Sequence, residues 1–228
     1  TGWANSRALA AAGITRDTPD PPGGVIDKDG SGEPTGVLKE SAQRIVRRLL
    51  PEPTDEDRYQ GLRRRLDEAA SYGLTSVQNA SFQAAEVPVY ERVLAEGGLK
   101  VRVYWAVPFL KDASPVDLAR FKALRARHRG PLIKFGAAKG MLDGVVESGT
   151  AAMFDPYART AGAGALNWSD ADLFRATALY DREGFQILFH AIGDRAIDQA
   201  LRAYEHTAQA NRTSGRRHRI EHVEVPRL

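Results

Sequence analysis

From about residue 54 onward, apolar runs rich in branched side chains alternate with stretches whose apolar positions recur at helical spacing. The runs predict strands over residues 74–78, 101–107, 132–138, 185–190 and 219–223. Their centres advance by roughly 28, 31, 53 and 33 residues, against about 30 for one βα unit. The single long step contains an insertion, residues 145–168. Helices are predicted between the strands, with Leu62/Leu66/Ala69, Leu118/Phe121/Leu124 and Ile197/Leu201/Tyr204 on their buried faces. Thr54 with Asp57, Ser114 with Asp117 and Ser169 with Asp172 mark helix starts, and Pro115 stands at a favoured first helical position. Gly73, Gly97-Gly98, Gly130 and Gly184 each precede the next strand as stop signals.

Strands that are apolar on both faces, such as Phe185-Gln186-Ile187-Leu188-Phe189, suit a parallel sheet covered by helices. A doubly wound open sheet and a part of a (β/α)8 barrel both fit. No Gly-x-Gly-x-x-Gly turn follows any strand, which favours the α/β class in its barrel form. The first fifty residues stand outside the repeat, with a short helix over 5–13, a turn-rich stretch over 20–36 and a second helix around 37–49.

Composition narrows the functional classes. A chain of 228 residues, 43% hydrophobic and 27% charged, can close a core, which excludes disorder. No run approaches the ~18 apolar residues of a membrane helix. The absence of cysteine excludes disulfides, so any transition metal must be held by His, carboxylate or a modified side chain. Thirty-two basic against 29 acidic residues leave +3, too small and too dispersed to argue for nucleic acid. The tract Arg216-Arg217-His218-Arg219 lacks interleaved aromatics and runs into an apolar strand, so it reads as a solvated strand entrance. A cytoplasmic location, with no membrane or nucleic-acid partner, is expected. The chain starts at Thr1 and its only methionines are Met141 and Met153, so a piece of a longer chain is expected too.

Asp27-Lys28-Asp29-Gly30-Ser31-Gly32 imitates the start of a calcium loop, but Leu38 stands where a bidentate Glu is required. A hairpin turned at Asp29-Gly30 explains the same residues. More telling are ionisable residues at successive strand ends. His190 and His222 lie 32 residues apart, one βα unit, on the rim where barrel enzymes keep their active sites. Each alone reads as a structural histidine as well as a ligand; together they favour a shared metal or a catalytic pair. Lys139 closes the strand one unit earlier, where a lysine must be paired, neutralised or modified. Carboxylation by carbon dioxide would make it an anionic oxygen ligand, and a salt bridge to Asp143 is the plainer alternative. Strand alternation places Lys134 on the face opposite Lys139.

The stretch from Lys139 through Asp143-Gly144 to Met153, the segment His190-Ala191-Ile192-Gly193-Asp194-Arg195-Ala196, and His218-Arg219-Ile220-Glu221-His222 resemble the amidohydrolase superfamily in its YtcJ-like branch. Asn5-Ser6-Arg7-Ala8-Leu9, Thr18 to Gly24, Gly32 to Glu40 and Gly73 to Gln78 extend the resemblance along the whole chain. It implies a partial (β/α)8 TIM barrel comprising about strands 2–6, an N-terminal α/β-hairpin insertion between strands 1 and 2 over residues 1–50, and the barrel part over 51–228. It implies Lys139 as a carboxylated bridging lysine, His190 and His222 as ligands of one or two divalent ions, most plausibly zinc, and hydrolysis of an amide-like C–N bond in a small molecule by a metal-activated hydroxide. The His-x-His pair of strand one and the Asp of strand eight, which the family uses, are absent, so this chain alone is expected to be inactive.

Other residues carry smaller expectations. Asp194 is expected to cap a helix, with support of a ligand as its second reading. Glu221 should alternate away from His222 toward the helices, into an ion pair with an Arg. Residues 145–168, with Tyr157, form the expected substrate-facing loop or an oligomer contact. Two other classes compete: a βα-rich scaffold with structural histidines, and a barrel enzyme using Lys139 as a Schiff base.

Overall fold

The computed structural model describes residues 1–158 and 161–227. It divides into two compact units, Thr1–Thr54 and the chain from Asp55 onward. In the first, strands β1 (Gly2–Trp3), β2 (Gly24–Lys28) and β3 (Pro34–Glu40) form an antiparallel sheet in the order β1-β3-β2, with helices α1 (Ser6–Ala12) and α2 (Gln43–Arg47). The helix predicted around 37–49 is therefore wrong in its first part. Leu38 pairs with Ile26 in register and both are buried with Ile14 and Ala42, so this stretch follows a strand's period of two. The Asp29 carboxylate accepts hydrogen bonds from the Ser31 amide (2.9 Å), the Ser31 hydroxyl (2.7 Å) and the Glu33 amide (3.0 Å). Those bonds close the β2–β3 turn, as the hairpin reading requires.

The second unit repeats helix and strand: α3 (Asp55–Ser71), β4 (Ser76–Asn79), α4 (Val87–Ala95), β5 (Arg102–Pro108), α5 (Pro115–Arg127), β6 (Ile133–Met141), α6 (Asp170–Arg182), β7 (Gln186–Ala191), α7 (Asp194–Asn211) and β8 (Arg219–His222). All five strands are parallel and neighbour one another in chain order. Local chemistry sets the helix starts. Ser114 and Asp117 form a reciprocal capping box with Pro115 behind it, and Ser169 accepts from the Asp172 amide. Gly73, Gly97 and Gly184 adopt positive φ at the helix ends, where a Cβ would be strained.

The sheet is curled into part of a barrel. Four strand spacings of about 4.8 Å would put β4 and β8 roughly 19 Å apart in a flat sheet. Instead, the Arg219 guanidinium of β8 bonds the Gln78 side chain of β4. On the convex face Val103, Trp105, Val107, Phe135, Ile187, Phe189 and Ala191 pack under the helices as one continuous core. On the concave face Ala106, Ala137 and Leu188 form a small cluster with Tyr104. No helix among the described residues is long and apolar enough to cross a membrane.

One irregularity decides which side chains reach the concave face. Trp105 pairs with Phe135, but Ala106 pairs with Ala137, so Gly136 is an extra residue in β6. A Cβ there would lie 2.6 Å from the Tyr104 hydroxyl. The bulge resets the alternation. Lys134, level with Tyr104, and Lys139, level with Leu188, consequently share the concave face, contrary to strict alternation.

Behind β7 and β8, the buried Asp181 carboxylate accepts from Asn211 Nδ2 (2.8 Å), Thr213 Oγ1 (3.0 Å), Arg216 Nε (2.9 Å) and His218 Nε2 (3.1 Å). His218 Nδ1 in turn accepts from the Ile187 amide at 3.1 Å, which fixes the neutral tautomer. The tract read as a solvated strand entrance thus sends Arg216 and His218 inward as a lock on α6. Burial depresses the His218 imidazole below its ordinary value, outweighing the pull of Asp181. The unfolded chain therefore binds this proton more readily than the folded one, and the associated stability is complete above about pH 6.5 and is lost as pH falls below it. We expect the thermal midpoint to drop between pH 7 and pH 5, the His218→Asn variant to flatten that slope, and Asp181→Ala to cost about 3 kcal/mol in denaturant titrations.

Candidate functional site

The C-terminal ends of β6, β7 and β8 bring Lys139, His190 and His222 to one rim. His190 follows Leu188 on the concave face and is almost fully buried. Its Nε2 donates to the Gly144 carbonyl at 2.8 Å and lies 3.5 Å from Asp143 Oδ1. That leaves Nδ1 as the nitrogen with a free lone pair. The His190 and His222 rings touch edge to face, with centroids 4.5 Å apart.

His222 reaches this position against the period of its strand. Ile220, two residues earlier, packs into the convex core, so alternation alone would send His222 to the helices. The chain instead turns sharply, with φ of 80° at His222 and 52° at Val223, a conformation that a β-branched residue rarely adopts. Hydrogen bonds from the Val223 amide to the Ala191 carbonyl and from Val225 to Ile192 hold the kink. Partial desolvation depresses the His222 imidazole below its ordinary value, helped by the neighbouring His190 and Lys139.

Glu221 therefore takes the concave position, which corrects the expectation that it faces the helices. Its carboxylate bonds Lys139 Nζ with one oxygen and Arg219 with the other, at 2.5 Å. Burial pushes the Glu221 carboxyl up, but the hydrogen bonds and charges of Lys139 and Arg219 outweigh it and hold the group below its ordinary range. Lys139 is thus paired with Glu221, whereas the plainer alternative named Asp143. Gln78 and Arg219 went unnoticed in sequence as parts of this chain of contacts. The spacing of Arg219 and Glu221, two residues apart on a strand, is the signal that places them on one face.

Asp143 lies just beyond β6. Its side chain is fully buried and accepts from the amides of Ala152 (2.9 Å), Ile192 (3.1 Å) and Gly193 (2.8 Å). One carboxylate thereby ties the insertion to the turn after β7. Gly193 is needed for the fit, since a Cβ there would stand 2.1 Å from the Ala152 carbonyl oxygen. Asp194 does not cap α7, because the cap position is Gly193 and Asp194 is the first helical residue. Its carboxylate instead accepts from the Phe154 amide at 2.9 Å, a second tie to the insertion. The Tyr157 hydroxyl donates to the Ala151 carbonyl at 2.8 Å, and burial raises the phenol. Trp168 Nε1 donates to the Met141 carbonyl at 3.0 Å, closing the insertion's far end onto the rim.

The donor chemistry can be tested against a divalent ion. Two imidazoles in contact, each with a nitrogen able to turn to an ion, fit one. Lys139 as an ammonium paired with Glu221 does not, and becomes a ligand only after losing its charge. Among the described residues no group of three or more His, Cys, Asp or Glu side chains could hold a metal ion.

The sequence model of the amidohydrolase family matches residues 1–227. The chain is 34% identical to the YtcJ amidohydrolase of Bacillus subtilis (strain 168), over 97% of its own length and 41% of that protein. It is 29% identical to the N-substituted formamide deformylase of Arthrobacter pascens, over 90% of this chain and 39% of the other. Its fold superposes on the crystal structure of an uncharacterized metal-dependent hydrolase from Pyrococcus horikoshii OT3 with a TM-score of 0.69 at 25% identity, covering 99% of this chain and 42% of that one. The chain thus spans about two fifths of the length of these relatives.

Removing the carboxylate that joins insertion and turn should loosen both. For Asp143→Ala we expect a stability loss of about 3 kcal/mol, the cost of leaving buried amides unpaired. Limited proteolysis should then cut first within residues 145–168, and an unchanged digestion pattern would show that other contacts hold the insertion.

Proposed function

The chain belongs to the amidohydrolase family, and from that membership we propose that it is the central part of a metal-dependent hydrolase acting on an amide-like C–N bond of a small molecule. His190, His222 and a carboxylated Lys139 are the proposed ligands, and zinc the proposed ion. The observation that carries the reading is the contact of two imidazoles at the ends of adjacent strands, 4.5 Å between centroids. A divalent ion held there supplies Lewis acidity, polarising a carbonyl and acidifying a water.

The chain's own residues would do the rest. The Gly144 carbonyl holds Nε2 of His190, which leaves Nδ1 as the nitrogen that would meet an ion. The depressed imidazole of His222 favours the form that can donate a lone pair. Carboxylation of Lys139 joins its deprotonated Nζ to the carbon of carbon dioxide and releases one proton to solvent. For that, Nζ must leave Glu221, whose second oxygen keeps its bond to Arg219. Residues 145–168, fastened by Asp143, Asp194 and Trp168, form the proposed wall toward substrate.

We further propose that the 228-residue chain is inactive alone. Asp143 and Glu221, the carboxylates beside the imidazoles, are already engaged by three amides and two cations, which leaves neither free to carry a proton to a leaving nitrogen. Equilibrium dialysis with zinc tests the ligand set. The His190→Ala/His222→Ala variant is expected to lose more than the about tenfold in affinity that an outer partner costs, and unchanged zinc content would remove the basis of the reading. Amide turnover by this chain with added zinc, abolished in His190→Ala, would overturn its proposed inactivity.

A further inference from the structure

At the opposite, N-terminal ends of β5 and β6 a hollow of about 580 Å³ lies between the strand ends and the C-terminal part of α5. This lies within the about 300–1,000 Å³ typical of small-molecule sites. Its charge is one-sided. Lys122, Arg125, Arg129 and Lys134 line it, and no Asp or Glu does. A neighbouring hollow shares Tyr104 and Lys134, adds Arg102, and is likewise lined by no acid. The chain's 29 acidic residues nearly balance its 32 basic ones, so this segregation is a matter of placement, not composition.

The cations divide into two kinds. Lys122 pairs with Glu183 at 2.8 Å, and Arg125 donates to the Glu183 carbonyl at 3.0 Å while stacking over the Phe185 ring. Glu183 thus neutralises Lys122 and holds Arg125, whose charge meets no carboxylate among the described residues, against the hollow. Arg129 and Lys134 have no ion-pair partner among the described residues, and their exposed heads are available to a ligand. Both nitrogens of His128 are already engaged, by the Leu124 carbonyl and by Glu91, so this ring adds shape and not a free donor. Tyr104 supplies a half-buried aromatic surface beside the cations, and its hydroxyl has no hydrogen-bond partner among the described residues, whereas Phe135 borders the hollow but is buried against Trp105 and His128.

We propose that this hollow binds a small phosphomonoester carrying a ring, its dianionic phosphate between Arg129 and Lys134 and its ring against Tyr104. A guanidinium and an ammonium sharing one oxyanion give charge-assisted hydrogen bonds, stronger and shorter than neutral ones. The volume exceeds what an inorganic ion fills, and a ring on the Tyr104 side accounts for the remainder. The site lies at the far end of the strands from Lys139, His190 and His222, and it does not depend on the reaction proposed there.

Isothermal titration of this chain with phenyl phosphate, inorganic phosphate and phenol tests the assignment. Phenyl phosphate is expected to bind, inorganic phosphate more weakly, and phenol not at all. Arg129→Ala/Lys134→Ala, checked for folding by circular dichroism, should weaken phenyl phosphate by at least about tenfold, since two charged hydrogen-bond partners are lost. The single variants, measured separately, provide the same readout in smaller steps. Absence of binding at millimolar phenyl phosphate, an unchanged affinity in the double variant, or an equal loss in Arg47→Ala/Arg48→Ala would overturn the proposal. Equal affinity for inorganic phosphate would overturn the assignment of a ring-bearing ligand.

Discussion

The buried carboxylate of Asp143 is the contact on which the geometry of the rim depends. A carboxylate without solvent is costly unless its oxygens are satisfied. Three backbone amides, from the insertion and from the turn after β7, satisfy this one. The residue after Asp143, Gly144, accepts the hydrogen bond of the His190 ring through its carbonyl. Insertion, helix start and imidazole orientation therefore form one cooperative unit. None of the three could shift without exposing an amide or stranding the charge.

A second constraint is the balance of ions on the concave face. Lys139, Glu221, Arg219 and Gln78 form a continuous chain from β6 through β8 to β4, across the inside of the curled sheet. Two cations share one carboxylate. Any chemistry that removes the charge of Lys139 would leave Glu221 still compensated by Arg219, so the face would not be left with an unpaired buried anion. This arrangement gives Lys139 latitude to change partners at a modest electrostatic penalty, and it closes the distance between the two edge strands.

Much of this was legible in the sequence, and what was not has definite causes. Helix starts at Ser114 and Ser169 and stops at Gly73, Gly97 and Gly184 depend on residues within one turn, so local pattern finds them. All five strands of the barrel part were legible to within a few residues, because runs apolar on both faces are rare outside a covered sheet. The errors arise where the period of two is broken or mistaken. The extra residue at Gly136 moves Lys139 onto the face of Lys134, and in β8 Ile220 sets a phase that turns Glu221 to the concave face, while the kink at His222 and Val223 brings His222 to the rim as well. In β3 a short alternating run resembles a helical one until its pairing with Ile26 is known. Long-range partners such as Glu221 for Lys139, or Ala152 for Asp143, leave no trace in local spacing.

These departures from regularity also explain how a single sheet carries two chemically different ends. With strict alternation Lys139 and His222 would both face the helices, leaving Glu221 on the concave face without its lysine and His190 without its neighbouring imidazole. The bulge directs the lysine inward and the kink restores the histidine to the rim, so two local distortions assemble the ligand types that regular strands would separate. Upstream of the bulge the alternation is undisturbed, and there Lys134 joins Arg125 and Arg129 in an acid-free hollow. The bulge at Gly136 thus lets β6 present a lysine to the concave face near both of its ends, Lys134 without an ion-pair partner among the described residues and Lys139 paired with Glu221.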